Sequence, residues 1–408
     1  MKIENLRTEQ RGSATRVVAT LTWENRDRPS QDIYFETTEE FAQDLTCNPH
    51  AFLIASIIPA MRYGETRIAM TEAICPQLRE GLITNMHWLS HWYGGNRQPI
   101  AIEAPVRSTP LNINISTRAG LFFSGGVDSL AALRNNRLNF SQEHSSSIKD
   151  GLLVYGLLKG EDEFNPAFKR VIGAVSEIAR DADLNLIPIN TNVYTHLRDL
   201  DQDFRFWRYE YQGAALAAIA HAFSRRLTKV SIAATYDLAN LDVWGSHPLL
   251  DFNFSSSNLQ IQHENIALSR LAKTKLIADW DLGLKNLRVC NNSQIYESDR
   301  LNCGKCEKCV RTMTALIALN LLQQTDAFPA SDLTENHLVA KARISDSYEA
   351  SCYRELILPL SAIDRYDLVR GIQKAIARYQ EKDLKGIIKK IDRTLLKGFI
   401  RQKISTTA

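Results

Sequence analysis

The ten residues Gly120-Leu-Phe-Phe-Ser-Gly-Gly-Val-Asp-Ser129 constrain the fold more than any other stretch. Leu121, Phe122 and Phe123 form an apolar run that suits the end of a buried strand. Ser124-Gly125-Gly126 follows, where side chains nearly vanish and the backbone can turn sharply. Val127 to Leu133 then reads as the first turns of a helix. A strand, a glycine turn and a helix start aim backbone N–H groups at one point, where the helix dipole favours an anion. Ser124 and Ser129 can add hydroxyl donors. The stretch predicts a phosphate-binding turn in an α/β fold. No lysine follows Gly126, so it is not the loop that ends in Gly-Lys-Ser/Thr.

Downstream, strands and helices alternate. Leu152–Leu158, Leu184–Ile189 and Lys229–Ala234 read as strands. Pro166–Ala182, with Asn165 as its cap, and the small-residue-rich Trp207–Ser224 read as helices. This order predicts a parallel sheet covered on both faces. Such sheets bind ligands beyond the carboxyl ends of their strands. Ser124, Lys159-Gly160, Asn190-Thr191-Asn192 and Thr235-Tyr236-Asp237 occupy those ends and are expected to ring one pocket. Asp237 and Asp242 could position a substrate or a magnesium ion. His247 is held in an extended turn by the following proline. The segment His263–Ile277 carries Arg270, Lys273 and Lys275. They are candidates to offset charge growing on phosphorus oxygens, the plainer alternative being a basic solvent-facing helix.

Residues 1–117 precede the loop and are expected to form a separate α+β domain. Arg16–Trp23 and Asp32–Glu36 read as strands around a hairpin loop, and Thr37–Leu45 as a helix. Ala51–Met61 is an apolar run of undecided type, and Pro105–Asn114 reads as a linker. Residues 323–408 are expected to be a basic helical extension. Its cations, from Arg365 to Lys403, alternate with apolar Leu368, Ile372 and Ile376. Such a helix docks on its own protein or on a nucleic acid or other acidic partner. The net charge of +3 does not choose between these. No apolar run reaches bilayer length, and the first residues lack a signal-peptide core. A cytoplasmic location without membrane contact is the expectation, and the sequence fixes no oligomeric state.

Four of the seven cysteines fall between Cys290 and Cys309. Cys303-Gly-Lys-Cys306-Glu-Lys-Cys309 lets thiolates reach one ion without strain, and Cys290 completes a set of four. That set is the usual structural zinc arrangement, and an iron–sulfur cluster can use the same ligands. Lys305 and Lys308 are expected to offset the thiolate charge, and the Gly304 turn to aim N–H groups at the sulfurs. Cys47, Cys75 and Cys352 read as ordinary buried cysteines.

Ser124-Gly-Gly-Val-Asp-Ser129 resembles the PP-loop of the N-type ATP pyrophosphatases, which attack the α-phosphorus of ATP and release pyrophosphate. Together with the Lys-x-Lys segment, Leu287-Arg-Val-Cys290 and Cys303-Gly-Lys-Cys-Glu-Lys-Cys-Val-Arg311, it makes residues 118–322 resemble the 7-cyano-7-deazaguanine synthases of queuosine biosynthesis. The resemblance implies an adenine-nucleotide α-hydrolase-like (HUP) core and the cofactors ATP, Zn2+ and Mg2+. In that family ATP activates the carboxylate of 7-carboxy-7-deazaguanine, ammonia gives an amide, and a second activation gives the nitrile. ATP would be held by Ser124, Gly125, Gly126, Val127, Asp128 and Ser129, and zinc by Cys290, Cys303, Cys306 and Cys309. Asp128, Lys273 and Lys275 are the candidate catalytic residues, and Asp237, His247 and Arg270 the candidate substrate contacts. The first 117 residues and the tail exceed the compact enzymes of the family. The chain in this respect resembles larger relatives in bacterial anti-phage defence, including the Qat type, where the carboxylate belongs to a small molecule or a protein. Two alternatives stand beside this reading: a tRNA-modifying sulfur transferase, which needs a free catalytic cysteine, and a non-catalytic nucleotide-binding subunit of a defence complex.

Overall fold

The computed structural model describes residues 1–107, 118–157, 166–201, 203–290 and 300–394, with the side chains of 166, 167 and 382–394 excepted. Lys159-Gly160, Asn165, the expected linker beyond residue 107 and the last cations of the tail lie outside the described residues. The chain forms two compact units. The first is Met1–Leu268 with Asn286–Arg288, and the second is Ser269–Lys285 with Val289–Ala408.

The first unit is built on one sheet. Its strands are β1 (Lys2–Arg11), β2 (Ala14–Thr22), β3 (Gln31–Thr38), β4 (Arg67–Ala69), β5 (Ala101–Glu103), β6 (Ala119–Phe122), β7 (Ile148–Tyr155), β8 (Asn185–Thr191), β9 (Lys229–Ala233) and β10 (Gln260–Glu264). They lie in the order β10-β9-β6-β7-β8-β3-β2-β1-β4-β5. The five strands from β10 to β8 are parallel, and β3, β2 and β1 continue the sheet antiparallel. The architecture is therefore α/β with a mostly parallel sheet, as its alternating pattern predicts. Strand order reverses beside β6: the chain first builds outward through β7 and β8, then returns to β9 and β10. Ligand crevices of open parallel sheets form at such a reversal.

Among the described residues the α-helices of this unit are α1 (Pro49–Arg62), α2 (Pro76–Trp92), α3 (Val127–Asn139), α4 (Pro166–Asp181), α5 (Gln212–Ala222) and α6 (Pro248–Asp251). The undecided run Ala51–Met61 is the body of α1, and every residue of it is buried. Asn48 caps it, accepting from the His50 N–H at 3.0 Å, and Pro49 opens the first turn. An apolar surface on all sides is what a helix enclosed in a core requires. It packs on α5, whose alanines set a small side-chain radius at the contact. The expected helix over Trp207–Ser224 is present but begins with a wide π turn at Trp207–Tyr211.

Two expectations fail for the same reason. Thr37 and Thr38 do not start a helix but end β3, and only one short turn, Glu39–Phe41, follows. Asn190–Asn192 do not face a pocket but are taken up by β3. Glu36 pairs with Asn190, Phe35 with Thr191, and the Asn192 side chain bonds the Tyr34 N–H at 2.9 Å and the Asp32 carbonyl at 2.8 Å. In both places long-range pairing with β-branched residues outweighs local preference.

The second unit is helical among its described residues: α7 (Arg270–Leu276), α8 (Asp281–Lys285), α9 (Glu307–Ala318), α10 (Glu335–Lys341), α11 (Ser347–Arg354), α12 (Ile357–Ser361) and α13 (Tyr366–Thr394). The described half of α13 docks on its own unit. Leu368, Ile372 and Ile376 are buried, Arg370 and Lys374 pair with Glu335, and Arg378 donates to the carbonyls of Val339 and Ala342.

Candidate functional site: a glycine turn and a four-cysteine centre

The glycine turn stands at the carboxyl end of β6, beside the reversal of strand order. Gly125 has φ +72°, a conformation that side chains other than glycine resist, and a Cβ there would also lie 3.0 Å from Val175 Cγ2. Its carbonyl accepts from the Arg288 N–H at 2.9 Å, which fixes the turn from behind. Gly126 occupies the N-cap of α3, and no side chain caps that helix. A thirteen-residue helix thus starts with no side-chain capping hydrogen bond among the described residues, the arrangement that suits an anion. Ser129 is buried and donates to the Gly126 carbonyl at 3.1 Å, while exposed Ser124 places its Oγ 3.4 Å from that of Ser129. Val127 and Asp128 fill the first turn, Val127 buried and Asp128 half-buried.

The residues after β9 are in the same unit but have work of their own. Asp237 is buried and caps a short turn, accepting from the Asn240 backbone at 3.1 Å and its side-chain amide at 2.7 Å. His247 is not a surface-turn histidine. It is buried, caps α6 by accepting from the Leu249 N–H at 3.1 Å, and meets the Trp92 ring edge-on at 5.0 Å. Burial, and then the neighbouring His263, hold its pKa down. The three expected cations belong to the second unit. Lys275 is exposed, but Lys273 is buried, and both Nε and Nη2 of Arg270 donate to the Tyr348 hydroxyl. The segment is therefore strand β10 followed by the short helix α7, not one basic solvent-facing helix.

Cys290, Cys303, Cys306 and Cys309 converge, their sulfurs all within 4.8 Å of one another. Neighbouring sulfurs are 3.5 Å (Cys290–Cys303), 3.6 Å (Cys290–Cys306), 3.8 Å (Cys303–Cys309) and 3.4 Å (Cys306–Cys309) apart. A tetrahedron with metal–sulfur bonds of about 2.3 Å has edges of about 3.8 Å, so the set fits one ion such as zinc. The amides of Lys305 and Cys306 donate to the Cys303 sulfur at 3.4 and 3.3 Å, as the Gly304 turn predicts. The shared hydrogen bond with Cys290 and burial push the Cys306 thiol up to about 12, and Cys309 moves up further for the same reasons. A dication removes that penalty, and its binding free energy becomes folding free energy.

One residue that supports this centre has no signal in the sequence. Asn302 is buried. Its Oδ1 accepts from the amides of Val289 and Cys290 at 2.9 and 3.2 Å, and its Nδ2 donates to the Ala327 carbonyl at 2.9 Å. Asn302 thereby holds Cys290 against the Cys303 segment. The buried cation of the motif is Arg311, whereas Lys305 and Lys308 are exposed. Arg311 lies 3.5 Å from Glu307, whose carboxyl is pushed up to about 7, chiefly by burial.

The fold and sites define an α/β protein with a glycine turn at the strand-order reversal and a four-cysteine centre able to hold a metal ion. No family model, curated protein or solved structure matches the chain. Among the described residues no helix is long and apolar enough to cross a membrane.

Proposed function

We propose that this chain is a PP-loop ATP pyrophosphatase of the HUP class that activates a carboxylate as its adenylate and passes it to ammonia or another amine. The observation that carries this reading is the uncapped glycine turn at the reversal of strand order. Ser124, Gly125, Gly126, Val127 and Ser129 receive the β- and γ-phosphates, and Asp128 and Mg2+ act at the same end. The α-phosphorus is then open to in-line attack by a carboxylate oxygen, and pyrophosphate leaves. Asp237 and His247 contact the acid, with 7-carboxy-7-deazaguanine the first to test. Zn2+ in the cysteine centre is structural, because protein fills all four positions. The mutual closure of the four sulfurs disfavours the sulfur-transferase alternative, which would need one of them free. Carboxylate-dependent exchange of labelled pyrophosphate into ATP tests the reading. Exchange that requires the acid is expected. ATP binding without any exchange would instead favour the nucleotide-sensing subunit.

A further inference from the structure

His263 lies on β10, two strands from the glycine turn. It pairs in register with Ile232 of β9, one residue beyond Ser231, which itself pairs with Leu121 of β6. It therefore stands near the carboxyl ends of the strands that flank the reversal. Behind it is Asp251, the last residue of α6 and fully buried. Asp251 Oδ2 is 2.7 Å from His263 Nδ1 and accepts from the Ser246 hydroxyl at 2.7 Å, while Oδ1 accepts from the His247 N–H at 3.3 Å. Space for this carboxylate exists because residue 213 of α5 is glycine: a Cβ there would overlap Asp251 Oδ1.

A carboxylate can only accept, so Nδ1 of His263 carries the ring proton. With one proton on the ring, Nε2 is the acceptor, and it has no hydrogen-bond partner among the described residues. The side chain keeps 7% of its surface exposed. His247 beside it has the opposite character. Its Nδ1 accepts from the Leu249 amide, so its proton is on Nε2. The two imidazoles offer one acceptor and one donor; the buried carboxylate holds the His263 ring directly and the His247 backbone amide. Burying a carboxylate is costly unless it is paired. An aspartate that holds a histidine in one tautomer is the usual way to ready the far nitrogen for proton transfer.

We propose that His263 is the proton acceptor for the amine that attacks the acyl adenylate, with Asp251 positioning it. The proposal rests on the carboxylate-activating function proposed above. In the step, the ammonia nitrogen bonds to the acyl carbon and the bond from that carbon to the AMP oxygen breaks. AMP leaves with the electron pair. The proton shed by nitrogen passes to His263 Nε2 and on to solvent, and Asp251 stabilises the imidazolium.

The test uses the full chain with ATP, Mg2+ and 7-carboxy-7-deazaguanine. Three rates are read: pyrophosphate exchange, amide formation from ammonia, and hydroxamate formation from hydroxylamine, which traps acyl adenylates without needing a strong base. In His263→Gln, amide formation is expected to fall ~100-fold or more, the lower range for a lost general base, while exchange and hydroxamate formation persist. Asp251→Asn is expected to show the same split. Equal loss of all three rates in both variants, or unchanged amide formation, would overturn the proposal and leave the carboxylate-activating function standing. Absence of exchange in the wild type would instead sink that function, and this proposal with it.

Discussion

The glycine turn after β6 and the cysteine centre before α9 are built from opposite parts. The turn offers backbone: a positive φ at Gly125, an uncapped helix start at Gly126 and two serine hydroxyls. The centre offers four side chains within 4.8 Å, oriented by the amides of Lys305 and Cys306 and by Asn302. Strand, helix and the Arg288 amide fix the turn. The centre is the reverse case. The Cys306 and Cys309 thiols are pushed up by shared hydrogen bonds and burial, so a bound ion would complete that part of the fold. Losing the ligand should thus cost stability at the centre and chemistry at the turn.

The largest effect is expected at the centre. Cys306→Ser should lose the metal, about one zinc per chain by the ligand count, and lower stability by several kcal/mol, a fraction of the ~10 kcal/mol that structural zinc can supply. Elemental analysis and thermal unfolding read both quantities. Full stability without metal would break the contrast. A brown protein with visible iron–sulfur absorption would replace zinc in it.

A smaller and different effect is expected at the turn. Gly125→Ala places a Cβ at φ +72° and against Val175, at a cost of about 1–2 kcal/mol for the left-handed conformation. The loop should shift and Mg-ATP affinity should fall, while the chain remains folded. Calorimetry decides, and unchanged affinity in a folded variant would detach the turn from phosphate. Gly126→Val is a less clean probe, because its Cβ would already sit 3.3 Å from the Arg288 carbonyl.

Acid should separate the regions further through the core of the first unit. His221 is fully buried and its Nε2 is bonded to the Phe254 carbonyl, with the His50 ring edge-on at 5.5 Å. Burial lowers His221 to about 4, and burial followed by the nearby His221 lowers His50 to about 3. As pH falls below the ordinary histidine value of about 6.5, the unfolded chain binds these protons first. Stability is therefore present above that value and is lost as pH falls toward the folded pKa values. For His221 alone the loss is about 2 kcal/mol at pH 5, by ~1.4 kcal/mol per pH unit. His221→Leu should flatten the dependence of melting temperature on pH between about 6.5 and 4. An unaltered slope would contradict a neutral buried pair.

The two sites also differ in how far the sequence reveals them. The turn is legible because apolar run, glycines and helix start occur in one stretch, and the centre because its cysteine spacing has few other uses. The residues that orient them are less visible. Asn302 acts through backbone amides twelve and thirteen positions away, and nothing local marks it. The Asp251–His263 pair joins two elements through one contact. Lys273, a candidate cation for phosphate in the sequence, is buried. Short strands were hidden as well. β4 and β5 have three residues each, and β10 buries only Ile261, so pairing rather than pattern creates them. Thr37–Leu45 carries a helical pattern that β3 pairing overrides.

Product analysis tests the central claim most directly. The purified chain is incubated with ATP, Mg2+ and 7-carboxy-7-deazaguanine, and the nucleotides are separated by chromatography. A turn without a lysine at the γ-phosphate should leave hydrolysis to ADP a minor path. The account expects AMP and pyrophosphate in equal amounts, formed only when the carboxylate is present. ADP as the main product, or AMP that appears without any carboxylate but requires tRNA and a sulfur donor, would contradict it.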